Sequence, residues 1–407
     1  MAGMAEQQQR WRTPLANGKT RLLIGLMLLI LTGGVAFLFP LIESRITATT
    51  YNASPPMSVS ASMFGFDGQH TRFNPDEKKL SPANVSHLVL DWAASTGNSI
   101  VSSPAIFHNV VYVGSGDARL NAFDAVTGKR LWSALTGGPI ASSPAVFNTS
   151  VYVGSEDGAL YAFNATTGAM LWAAPTGGMI QSSPTVANGV VYIGSYDHKL
   201  YAFKASNGKL LWSMSTGNAI YSSPAVSNGI VYVGSDDAQL YAFNASTGKL
   251  LWKVALYLAI YSSPAVAGGV VYIGSADYQV YAFDAATGKR LWTISTDNAI
   301  YSSPAIAGGV VYIGSVDNKL YALNASTGAV RWAASTGNHI TASPTIANGV
   351  VYVGSTDHKL YAFDAATGKL LWSTSTGNVI ESSVAVAGGV VYVGCDDGKL
   401  YAFHLKS

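Results

Sequence analysis

The chain is 407 residues long and 49% apolar, and only 11% of it is charged, with 24 Lys and Arg against 22 Asp and Glu. This sparse, balanced charge excludes a nucleic-acid-binding surface, which needs a basic stripe or an Arg/Lys cluster interleaved with aromatics. A single cysteine, Cys395, excludes an intrachain disulfide framework.

In chain order, residues 1–21 carry Arg10, Arg12, Lys19 and Arg21 ahead of an uncharged stretch, Leu22 to Ile42. Those 21 residues are long enough to cross a hydrocarbon core as a helix. Only Arg45 follows closely, beside Glu43, so the positive-inside bias places residues 1–21 in the cytoplasm and the rest of the chain outside. The segment lacks the small-x-small site of a cleaved signal peptide and the cysteine of a lipoprotein anchor. The expectation is a retained signal anchor in the cell membrane, spanning once over 22–42. Residues 43–62, rich in Ser, Thr, Ala and Pro, read as a flexible stalk.

Beyond the stalk the chain repeats every 40 residues. Trp92, Trp132, Trp172, Trp212, Trp252, Trp292, Trp332 and Trp372 lie on one ruler, and only Trp11 is off it. A period near 40 with four strand-like segments per unit predicts a β-propeller, one blade per repeat. In 181–220, Pro184 removes a ladder donor and so places its short strand on an edge, the innermost of the blade. GVVYIGS reads as a strand covered on both faces. The aspartate at Asp117, Asp157, Asp197 and each equivalent position reads as a turn-fixing acceptor, spaced too widely to share a metal ion. KLYAF and KLLWSMS are the third and outer strands. The tryptophan wedges between blades, burying on the order of 150–250 Å².

Seven full repeats run from 101 to 380. Residues 381–407 lack an outer strand, and residues 88–96 are an outer strand without inner ones, in frame at Trp92. The prediction is therefore an all-β, eight-bladed propeller of four-stranded blades over 63–407, closed by 88–96 and preceded by one transmembrane helix. Closure removes open sheet edges.

The stretches AFDAVTGKRLW at 122–132, AFNASTGKLLW at 242–252 and AFDAATGKLLW at 362–372 resemble the tryptophan-docking motif of two groups: quinoprotein dehydrogenase propellers and the outer-membrane-assembly propeller lipoprotein. Seven copies keep its spacing, and the one at 202–212 departs with Lys204 and Asn207. The segment 64–92 is similar to the opening of quinoprotein alcohol dehydrogenases through Gly65, Asp67, Thr71, Arg72, Phe73, Asn84 and Val85. That resemblance implies pyrroloquinoline quinone (PQQ) between a tryptophan floor and adjacent cysteines, calcium on Glu, Asn and Asp, and an aspartate base. The chain departs from it, with no Cys–Cys pair, every propeller tryptophan at a docking position and no long inserts. No catalytic residue carries over; no cofactor is expected, and PQQ with calcium is the alternative.

Function is expected where the copies disagree. The first position of each repeat should ring the channel mouth: Val101, Ala141, Gln181, Tyr221, Tyr261, Tyr301, Thr341 and Glu381. Turn residues Tyr196, His198, Tyr278 and His358 should crown the same face. Residues 255–258 read Ala-Leu-Tyr-Leu where other copies read close to Ser-Thr-Gly-Asn. The candidate rim is thus Gln181, Tyr221, Leu256, Tyr257, Leu258, Tyr261, Tyr278, Tyr301 and Glu381, an aromatic patch of the kind that marks contact sites. The expected role is a membrane-tethered, extracytoplasmic binding scaffold for a protein, peptide or cell-wall ligand. The alternatives are a PQQ-dependent alcohol or sugar dehydrogenase and an envelope-assembly scaffold.

Overall fold

The computed structural model describes residues 62–406. The expected membrane span at 22–42 and the stalk up to residue 61 lie outside the described residues. Among the described residues no helix is long and apolar enough to cross a membrane.

Eight sheets form the blades, each antiparallel and four-stranded apart from one added parallel strand. In the first complete blade the strands are Ala105–Phe107, Val110–Ser115, Arg119–Asp124 and Arg130–Leu135. The innermost has three residues because Pro104, which has no N–H, precedes it. The eighth blade joins both ends of the propeller sequence. Leu88–Ser95 pairs with Lys399–Leu405, with Leu88 opposite Leu405, Trp92 opposite Ala402 and Ser95 opposite Lys399.

The core lies between blades, not within them. Tyr192 and Leu200 of the third blade, for instance, pack with Val226, Val231 and Phe243 of the fourth. The tryptophan motif works at seven of the eight junctions. Trp132 Nε1 donates to Ala165 O at 3.0 Å, and Tyr112 Oη donates to the same carbonyl at 3.1 Å. Their rings tilt together with centroids 5.8 Å apart. Gly168 turns at φ +71°, and a Cβ there would meet the Trp132 ring at 2.7 Å, so the motif needs glycine for both conformation and space.

The composite blade keeps this pattern. Trp92 Nε1 and Tyr392 Oη, from opposite ends of the propeller sequence, both donate to Ala125 O, at 3.3 and 3.1 Å. The junction between blades seven and eight departs from it. Trp372 Nε1 donates to Leu88 O at 3.1 Å and its ring packs edge-on against Phe403. Tyr352 Oη is buried there without a partner.

One feature lies outside the repeat. Residues 62–77 wind over the inner strands at the end of the channel opposite the expected mouth. Their carbonyls accept from inner-strand N–H groups of blades two, four, five, six and seven: Val146 N to Ser62 O (2.6 Å), Val226 N to Gly68 O (2.6 Å), Val266 N to Gln69 O (2.8 Å), Ile306 N to Thr71 O (2.8 Å) and Ile346 N to Arg72 O (2.9 Å). Phe73–Asn74 adds a parallel strand to Thr345–Ala347. Asn74 Nδ2 then donates to Val386 O at 2.8 Å, and Glu77 Oε2 accepts from Gly389 N at 2.8 Å. The segment satisfies inner-edge N–H groups that would otherwise be orphaned. Ser62, the last residue of the expected stalk, already belongs to it.

Candidate functional site

At the mouth, each repeat's aspartate is committed to its turn. Asp237 Oδ1 accepts from Gln239 N at 3.0 Å, and Asp237 Oδ2 accepts from Gly217 N of the preceding connection at 2.7 Å and from Tyr241 Oη at 2.6 Å. The same clamp recurs at Asp317, with Lys319 N, Asp297 N and Tyr321 Oη. These aspartates are structural. Cys395 takes the role of its serine counterparts: its thiol donates to Asn378 O at 3.3 Å, as Ser355 Oγ does to Asn338 O at 3.1 Å. Burial pushes its pKa up, away from a reactive thiolate.

With the turns fixed, the variable residues converge. Tyr221 and Tyr261 meet edge to face with centroids 5.1 Å apart, and Tyr261 and Tyr301 do so at 5.5 Å. Tyr196 tilts onto Tyr221 at 4.3 Å. Tyr196 Oη donates to Gln181 Oε1, and Gln181 Nε2 donates to Glu156 Oε1 at 2.8 Å. The result is a continuous arc, from Glu156 through Gln181, Tyr196, Tyr221 and Tyr261 to Tyr301, with half-buried aromatic rings. In an eight-fold ring, position one of a repeat faces position one four repeats on. Tyr261 and Tyr301 therefore look across the mouth at the small side chains of Val101 and Ala141, and Tyr221 looks at Glu381.

Carboxylates stand around the mouth, on the arc and across from it. Burial raises the pKa of Glu381, and the nearby Asp396 raises it further; burial likewise raises Asp396, with Asp397 adding to the effect. Asp396 Oδ1 is buried without a partner. Tyr261 is raised by burial and then by the Asp236 carboxylate, and Tyr301 by burial and then by Tyr278. Among the first and sixteenth positions of the repeats stand Glu156, Asp236, Glu381 and Asp396, with no Lys or Arg.

The Ala-Leu-Tyr-Leu connection divides. Leu256 occupies the position of a threonine and is half-buried, packed against the core between blades four and five. In other blades that threonine bonds carbonyls, as Thr216 Oγ1 does with His198 O at 3.0 Å. Tyr257 and Leu258 stay 75% and 48% exposed, and Tyr278 46% exposed. The Tyr257 N–H still donates to Asp277 Oδ2 at 3.2 Å, so the connection keeps its standard shape. Gln181, Tyr221, Tyr261 and Tyr301 come together in the arc, and Glu381 stands apart from it.

Halfway down the channel the third-position serines form a belt. The Ser103 N–H donates to Ser143 Oγ at 2.9 Å, and the pattern runs round the ring to Ser383 N donating to Ser103 Oγ at 2.9 Å. Between Ser343 and Ser383, Arg72 Nη1 approaches Ser383 Oγ at 3.4 Å instead. Sequence reasoning missed the far end of the channel, where Arg72 and His70 are buried. One signal marked it. The fifth position is alanine in six repeats but threonine at Thr185 and Thr345, and Thr185 Oγ1 bonds His70 Nε2 at 2.9 Å.

The residues do not fit a PQQ site. The anionic quinone would face Glu156, Asp236, Glu381 and Asp396, with no Lys or Arg among the first and sixteenth positions of the repeats. The propeller tryptophans spend their N–H groups on neighbouring carbonyls, and the one cysteine is buried and alone. Among the described residues no three His, Cys, Asp or Glu side chains group to hold a metal.

The fold defines a class: an eight-bladed propeller of PQQ-like repeats. Residues 100–350 match the family described as the β-propeller of beta-alanine-activating enzyme, and the chain belongs to that family. Residues 296–407 match outer membrane protein assembly factor BamB. No curated protein matches the chain at the sequence level. Among solved structures it is similar to quinohemoprotein alcohol dehydrogenase from Comamonas testosteroni, at 17% identity and TM-score 0.76, covering 88% of this chain and 82% of that one. A europium-containing methanol dehydrogenase matches at 14% identity and TM-score 0.75, covering 85% and 98%. BamB from Moraxella catarrhalis matches at 16% identity and TM-score 0.68, covering 78% and 99%. At these identities the likeness is one of fold.

Proposed function

We propose that this protein is a binding scaffold that holds a protein, peptide or cell-wall ligand at the open channel mouth. The tyrosine arc carries this reading: four rings, from Tyr196 to Tyr301, are packed against one another and presented half-buried at one opening. Pre-packed aromatics offer large contact area at little entropic cost, and the carboxylates around the mouth favour a ligand with cationic or hydroxyl groups. Leu22 to Ile42 would tether the propeller to the cell membrane, with the mouth outside the cytoplasm. The test is extracellular crosslinking and pull-down with native protein and a Tyr257→Ala, Tyr261→Ala variant. Loss of partners from the variant is expected; native-level recovery of every partner overturns the reading.

An envelope-assembly role is a narrower form of the same proposal, favoured by the match of residues 296–407 to an assembly factor. Membrane fractionation separates the two, because assembly at an outer membrane requires the protein to contact that membrane's fraction.

A further inference from the structure

The channel's far end holds a charge that the scaffold reading does not use. Arg72 is 2% exposed and makes no ion pair among the described residues. The carboxylate it feels, Asp67, is occupied by Gln69 N, Thr71 N and Thr71 Oγ1 at 3.0, 3.0 and 2.6 Å. The other buried acid in this segment, Glu77, is taken by Lys79 N, Leu80 N and Gly389 N. A buried guanidinium without a counter-charge is strongly unfavourable, so its surroundings should supply one.

The geometry shows where. The Phe64 ring covers one face of the guanidinium, its centroid 3.9 Å from Cζ. Nη1 points to Ser383 Oγ. Nε and Nη2 are buried with no acceptor. Those two N–H groups lie side by side on one edge, the fork that arginine offers to an anionic acceptor. Arg72 borders a cavity of about 20 Å³ shared with Phe64, Ser103, Thr345, Ser383 and Val384. A space of that size holds one water-sized occupant. Its polar lining is donor-rich. Ser103 Oγ accepts from Ser383 N and keeps its own proton to give, as does Ser383 Oγ beside Arg72. Thr345 Oγ1 already donates to Val384 O.

We infer that this cavity is a binding site for one small monovalent anion of halide size, held in the Nε–Nη2 fork of Arg72 and by the hydroxyls of Ser103 and Ser383. Such an ion would neutralise the axial cation and pin residues 62–77 to blades eight and one. The small volume favours a halide over sulfate, phosphate or an organic acid. A water would supply lone pairs but not the missing charge. Burial lowers the guanidinium pKa to about 9, opposed by Asp67, so the group is still a cation at neutral pH when the anion is present.

The test needs no knowledge of the mouth's ligand. Thermal unfolding of the full chain is compared in chloride and in gluconate at equal ionic strength, and crystals grown in bromide are examined for anomalous signal. Chloride should raise the melting temperature saturably, by about 3 °C, and bromide should appear beside Arg72 Nε and Nη2. Arg72→Gln should melt alike in both salts. Equal melting of the native protein in the two salts overturns the site, as does a bromide map with no peak at the fork. Both native-protein readouts decide the matter even if Arg72→Gln fails to fold.

Discussion

The two ends of the channel are built by opposite means. The mouth is made of side chains that differ from repeat to repeat, while the far end is closed by a segment that binds mainly backbone N–H groups, which every repeat supplies alike. A side-chain surface can be rewritten blade by blade to suit a partner. A backbone-reading plug is indifferent to such changes, so the mouth can diverge without loosening the closed end.

Acid should break the far end first, and by the largest amount. Burial, and after it the nearby Arg72, lowers the His70 pKa from 6.5 to about 3. The unfolded chain takes up a proton below pH 6.5, while the folded one refuses it until about pH 3. The stabilisation is full above pH 6.5 and drains away as pH falls through that window, on the order of 4 kcal/mol in all. Urea midpoints at stepped pH should show the decline in native protein and a flatter profile in His70→Asn.

Next in size is Glu77→Ala. It strands the N–H groups of Lys79, Leu80 and Gly389 in a buried site, at a cost of about 2–3 kcal/mol in chemical denaturation. At the mouth the ordering reverses. Tyr221→Ala removes ring contacts to Tyr196 and Tyr261, worth about 1 kcal/mol of stability, yet partner capture should fall more than about tenfold. If stability and capture fell in proportion, the division between a structural end and a recognition end would fail. The smallest effect belongs to Glu381→Gln. Its carboxyl pKa is raised by burial and by Asp396, so the ionised form weakens the fold at neutral pH. The amide should raise the melting temperature slightly at pH 7, and the gain should vanish below the ordinary carboxyl range, where both side chains are neutral.

The same contrast explains what the sequence could reveal. Trp, Gly and Asp recur at fixed spacing because each makes one junction contact that every blade repeats, so the blades, their number and the composite closure through Trp92 were all legible. The tyrosines of the arc were legible as departures from the repeat, and Gln181 with them. Its link to Glu156 was not, because a bond between positions sixteen and one of successive repeats leaves no periodic trace. The packing of Leu256 was not legible, because an apolar residue in a polar connection looks exposed until the inter-blade core is seen to extend under it. The plug's role left little signal: backbone partners have no side-chain signature, and beside the resemblance of 64–92 to the opening of quinoprotein alcohol dehydrogenases only Thr185 and Thr345 pointed to it.

The composite eighth blade has a consequence for synthesis. The strand Leu88–Ser95 leaves the ribosome early, and its partner Lys399–Leu405 follows some three hundred residues later. At about 5–20 residues per second, that is a delay of roughly 15–60 s. Throughout it, Leu88–Ser95 waits as an unpaired edge beside blades that are already folded. A chaperone would find its longest opening on the nascent chain there.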